Sequence, residues 1–87
     1  MADVLKVVLV DDSAAVRRSL GHLLAAEPGV VIVGHAEDVR QAVQVIETVQ
    51  PDVVVLDVDL RHGDRGIDVL RHVAREHPAV QVVVLSN

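Results

Sequence analysis

Four carboxylates stand out in this 87-residue chain, because each closely follows an apolar run. LKVVLV (5–10) leads into Asp11 and Asp12, and VVVL (53–56) leads into Asp57, with Asp59 two positions further on. Gly or Asn would end a strand at less electrostatic cost. Carboxylates crowded together repel and raise one another's pKa unless a cation sits among them. Hard oxygens without His or Cys suit Mg²⁺, which keeps several waters and takes one or two carboxylates with a phosphate oxygen. A carboxylate beside such an ion is also a competent nucleophile toward phosphorus. An acid at a strand end can simply face water or cap a helix, and for one residue that explanation serves as well. It serves poorly for a pair ending one strand and a further acid ending its neighbour.

For these acids to meet, the chain must bring the two strand ends together. LKVVLV (5–10) predicts a first strand, VVIVGHA (30–36) a second, VVVLD (53–57) a third and QVVVL (81–85) a fourth. Between them Ser13 is placed to cap a helix from about 14 to 26, with Val16, Leu20, Leu23 and Leu24 on one face. Glu27-Pro28-Gly29 ends it. Asp38 is placed to cap a second helix, with Val39, Ala42, Val43 and Ile46 as its apolar stripe and Arg40, Gln41, Gln44 and Glu47 toward water. Pro51 stops that helix. A third helix follows the loop LRHGDRG (60–66), carrying Ile67, Leu70, Val73 and Ala74 on one side until Pro78.

Alternating strands and helices predict an α/β fold with right-handed crossovers in a parallel sheet. Strands this apolar want helices on both faces, so the sheet is expected to be doubly wound. Ligands then sit at the carboxyl ends of the strands, where the strand order reverses. If the first strand lies between the second and the third, the crevice falls between the ends that carry the acids.

Composition narrows the function classes. Hydrophobic residues make up 51% and charged residues 24%, which suits a single globular domain rather than a disordered chain. There are no aromatic residues and no cysteines, so the core is aliphatic and disulfide or thiolate chemistry is excluded. A net charge of −5 without a Lys/Arg cluster argues against direct nucleic-acid binding. No run approaches the ~20 apolar residues of a membrane span. The N-terminus lacks the basic flank of a signal peptide, and a soluble, cytoplasmic protein without membrane contact is expected. DDSAAV in place of a Gly-rich turn argues against a dinucleotide site.

VVLVDDSAAVRRSL, PDVVVLDVDL about forty residues on, and VVVLSN together resemble the receiver domain of two-component response regulators. The likeness runs essentially the whole length of the chain. It implies a flavodoxin-like receiver fold, incomplete here at four strands and three helices, and a non-enzymatic phosphoacceptor module. In that likeness Asp57 is the phosphoacceptor, supplied by a sensor histidine kinase or a phosphotransfer protein. Asp12 is a direct Mg²⁺ ligand, Asp11 helps hold the metal, and Asp59 offers its backbone carbonyl. Ser86 falls where a hydroxyl contacts the phosphoryl group. The loop LRHGDRG lacks the family's usual Pro but keeps Gly63 and Gly66.

The family's fourth helix, fifth strand with its phosphate-contacting Lys, and final helix have no counterpart in residues 1–87, and no output domain is expected within them. Lys6, the only lysine, lies five residues before Asp11, ~16 Å along an extended strand, and cannot replace that Lys. Poor switching is therefore expected of these 87 residues alone, along with an exposed fourth strand open to self-association. A receiver serving only as a protein-interaction piece is the alternative. LDVDL also resembles the nucleophile motif of haloacid dehalogenase-like phosphatases, but residues 60–87 contain none of the Lys they need. The five histidines read as surface or boundary residues: His72 and His77, five apart, do not share a helical face. Arg17 and Arg18 are expected to be solvated, with an approach of either to the rim of the acidic pocket as the alternative.

Overall fold

The computed structural model describes residues 3–58, 60 and 65–85. Valine-rich segments become strands because a β-branched side chain keeps few rotamers to lose on an extended backbone. Four such segments form strands: β1 (Leu5–Val10), β2 (Val30–Ala36), β3 (Val53–Asp57) and β4 (Gln81–Leu85). Three helices alternate with them: α1 (Ala14–Ala25), α2 (Val39–Val49) and α3 (Gly66–Glu76). Among the described residues all the strand pairings are parallel, as expected, and the spatial order is β2-β1-β3-β4, which meets the condition that β1 lie between β2 and β3. The reversal of direction after β1 places the ends of β1 and β3 side by side, with Val10 registered on Leu56.

The first two helices start where the sequence says they should, and α3 takes in Gly66, the last residue of the expected loop. Ser13 Oγ accepts the Val16 N–H at 3.2 Å, and Asp38 Oδ1 accepts the Gln41 N–H at 2.8 Å. Each side chain satisfies a donor that the first turn leaves without an intrahelical partner. α2 ends at Gln50 in the left-handed conformation (φ 47°), and Pro51 prevents any continuation.

The main core lies between the sheet and the α2/α3 layer. Val8, Val10, Val54 and Leu56 pack there with Ala42 and Ile46 of α2 and Val69 and Val73 of α3. Leu9 is also fully buried, and strand alternation turns it to the opposite face, the side of α1. Among the described residues no helix is long and apolar enough to cross a membrane.

Two helix faces differ from the sequence reading. In α3 the buried positions are Gly66, Val69 and Val73, while Ala74 is exposed. The spacing of three and four admits both stripes, and the larger Val69 takes the inward place. In α1 no residue is fully buried. Its inward side is Arg17, Leu20, Gly21 and Leu24, all half-buried, and Val16 and Leu23 turn outward at 40% and 69% exposure.

Candidate functional site

β1 and β3 deliver their acids to the same end of the sheet. Carboxylate oxygens of Asp11, Asp12 and Asp57 lie within 4.8 Å of one another. Asp11 is the most enclosed of the three, with 8% of its surface exposed. Its Oδ1 accepts the Ser13 N–H at 2.8 Å, and its own N–H donates to the Ala36 carbonyl at 3.0 Å. Burial pushes its pKa up, against the pull of the Ser13 hydrogen bond, and the charges of Asp57 and Asp12 push it further. Burial and like charge thus disfavour the ionised form of Asp11, a cost that a cation would relieve. The donor set is all oxygen, so its chemistry fits Mg²⁺.

Arg17 has a larger part in this pocket than its sequence position suggests. From the first turn of α1 its Nη1 donates to the Asp11 backbone carbonyl, so the guanidinium is half-buried at the rim instead of solvated. Arg18, one position on, is exposed as expected. The sequence signal for Arg17 was its place at i+4 from the capping Ser13, on the side of the helix facing β1.

Gly66 is the other residue whose role becomes visible only in three dimensions. Its N–H donates to the Val58 carbonyl at 3.0 Å, tying the start of α3 to the end of β3. A Cβ there would fall 2.4 Å from the Asp57 carbonyl oxygen and 2.7 Å from Val58 Cα, both backbone atoms. Neither can rotate away, so β3 must shift just where it presents Asp57. Gly66→Ala is expected to lower stability by about 1–3 kcal/mol, the range for overpacking a tight contact. Urea denaturation of the variant against the parent measures it. Asp59 and Ser86, and the loop residues 61–64 that include Gly63, lie outside the described residues.

A doubly wound parallel sheet with acids gathered at its topological switch point places them in the crevice where domains of this architecture bind their ligands. Residues 7–87 match the family model described as the response regulator receiver domain, and the chain belongs to that family. It is 44% identical over 99% of its length to protein-glutamate methylesterase/protein-glutamine glutaminase 2 of Oleidesulfovibrio alaskensis, of which it covers 24%. It is 42% identical over 94% of its length to enzyme 4 of the same name from Geobacter metallireducens, covering 23% of it. Among solved structures, the response regulator domain of Thermotoga maritima CheB superposes with a TM-score of 0.87 at 30% identity, over 95% of this chain and 60% of that one.

The chain therefore spans about a quarter of the curated relatives it matches. The expectation of a non-enzymatic module is overturned here, since those relatives are named as enzymes. These 87 residues match only the receiver region, so no motif in them could announce an esterase or glutaminase. The family match also displaces the haloacid dehalogenase-like alternative.

Proposed function

We propose that the chain is a phosphoacceptor receiver in which Asp57 takes a phosphoryl group from a histidine kinase or phosphotransfer protein. The observation that carries this is the meeting of Asp11, Asp12 and Asp57 oxygens within 4.8 Å at the ends of two adjacent strands. Asp57 attacks phosphorus in line, a P–O bond forms as the P–N bond to the donor imidazole breaks, and the leaving nitrogen keeps the electron pair. Asp11 and Asp12, with the Asp57 carboxylate and the Asp59 backbone carbonyl, would hold Mg²⁺. When bound, the ion offsets the negative charge gathered around the transferring group and orients it. Ser86 is assigned the hydroxyl that contacts the phosphoryl group.

Arg17 and the Ser13 amide keep Asp11 in place, through its carbonyl and carboxylate respectively. Similarity to the methylesterase/glutaminase relatives supports a further step of the same reading. The receiver would belong to an enzyme of that kind, in the cytoplasm, and would govern it through phosphorylation.

Titrating Mg²⁺ into the full chain while following amide resonances tests the site. Residues 11–13 and 57–58 should shift together and saturate, and Asp11→Asn should weaken the response. Shifts scattered over the surface, or none at all, would refute the metal site.

A further inference from the structure

A second cluster of ligating side chains lies far from the acids. Glu47 sits in the last turn of α2, His72 in the middle of α3, and His77 at the cap that closes α3. Glu47 Oε1 lies 2.8 Å from His72 Nε2 and 2.7 Å from His77 Nε2. The two rings are 5.7 Å apart, tilted at 58°, and the three ligating atoms all lie within 4.8 Å of one another. Five residues of separation would not align two histidines on a continuing helix. His77 is brought into line because the chain leaves the helix there, at φ −138° and ψ 62°.

α2 and α3 run back along the sheet from the carboxyl ends of β2 and β3. Their C-termini therefore place this cluster at the opposite end of the sheet from Asp57. The side chains of His72 and His77 are 16% and 20% exposed, while that of Glu47 is 48% exposed and accessible from solvent.

We propose that Glu47, His72 and His77 form a binding site for a divalent transition-metal ion of the zinc class, clasping α2 to α3. Two imidazole nitrogens and one carboxylate are a recognised zinc donor set, with a fourth position left to water. Imidazole favours Zn²⁺, Cu²⁺ or Ni²⁺ over Mg²⁺, so this site and the all-oxygen pocket discriminate between ions by donor chemistry. Ligand atoms around a four-coordinate zinc stand about 3.3 Å apart, given bonds near 2.0–2.1 Å. The two nitrogen–oxygen distances must each open by roughly half an ångström, which the exposed Glu47 side chain can supply by rotation.

Without metal, one carboxylate oxygen accepts from both rings. On metal binding each ring carries its proton on Nδ1 and turns a lone pair on Nε2 to the ion.

The test uses the full chain with Mg²⁺ in excess, so that the acidic pocket does not compete. Co²⁺ serves as the spectroscopic probe and Zn²⁺ as the competitor. One Co²⁺ per chain should bind with the visible absorption of a four-coordinate nitrogen/oxygen site, and Zn²⁺ should displace it. His72→Gln and His77→Gln should each abolish the band, whereas Asp57→Asn should leave it intact. Far-ultraviolet circular dichroism in chelator should show both histidine variants folded. Absence of the band in the parent, or its persistence in both histidine variants, would reduce the cluster to a hydrogen-bonded clasp and overturn the proposal.

Discussion

Asp57→Asn is expected to leave no measurable phosphoryl transfer to this chain from a histidine kinase or a small phosphodonor. An amide is a poor nucleophile, and Asp57 is the acid that ends β3, beside the Asp11–Asp12 pair that ends β1. Transfer is followed by the hydroxylamine-labile phosphate that an acyl phosphate gives. Asp59→Asn should only weaken transfer, because its assigned contribution is a backbone carbonyl that the substitution preserves. Equal loss in both variants would contradict these roles.

Unfolding is not the expected reason for the loss. Burial first, and then the charges of Asp57 and Asp12, raise the Asp11 pKa above its ordinary 3.8. A raised carboxylate pKa means that the folded state disfavours the ionised form. This group therefore costs stability increasingly as pH rises from about 3.8 through its folded value. Removing the Asp57 charge eases that cost, so the inactive variant should melt no lower than the parent at neutral pH without metal. A clearly lower melting temperature would point instead to disrupted packing at the end of β3.

As an isolated 87-residue polypeptide, the chain is expected to self-associate through β4. Among the described residues β4 pairs with β3 alone, and Val83, Val84 and Leu85 remain 47%, 44% and 38% exposed. A short, uncharged, Val-rich edge presents unpaired backbone groups to any second copy, the situation that proteins usually blunt with charge or cover. Fully burying a Val or Leu side chain is worth roughly 1.5–3 kcal/mol. The exposed fractions of these three side chains together come to about 2–4 kcal/mol, a large share of the ~5–15 kcal/mol that holds a domain together. The outward Val16 and Leu23 of α1 add to the deficit.

Sedimentation and thermal melting over a concentration series should show association that Val83→Lys suppresses. That variant places a charge on the edge strand without touching the buried core. A sharp melt of a monomer, unchanged by concentration and by Val83→Lys, would sink the expectation.

Local chemistry written in the sequence accounts for the element order, the parallel sheet, the capping by Ser13 and Asp38, and the acids at the strand ends. Continuous Val-rich runs, Asx and Ser caps and Pro stops act within a few residues of themselves, so one chain suffices to read them. Right-handed crossovers then leave little freedom in where β1 and β3 finish. Rotation of a helix about its own axis is not set locally. α1 turns Arg17, Leu20, Gly21 and Leu24 inward because the sheet and the Asp11 carbonyl are there to receive them, and α3 buries Val69 while leaving Ala74 exposed. Gly66 is required because α3 begins against the Asp57 backbone, a contact between elements that no spacing records. His77 meets His72 and Glu47 because it stands beyond the helix end, where helical periodicity no longer applies and the packing of α2 on α3 decides what touches what.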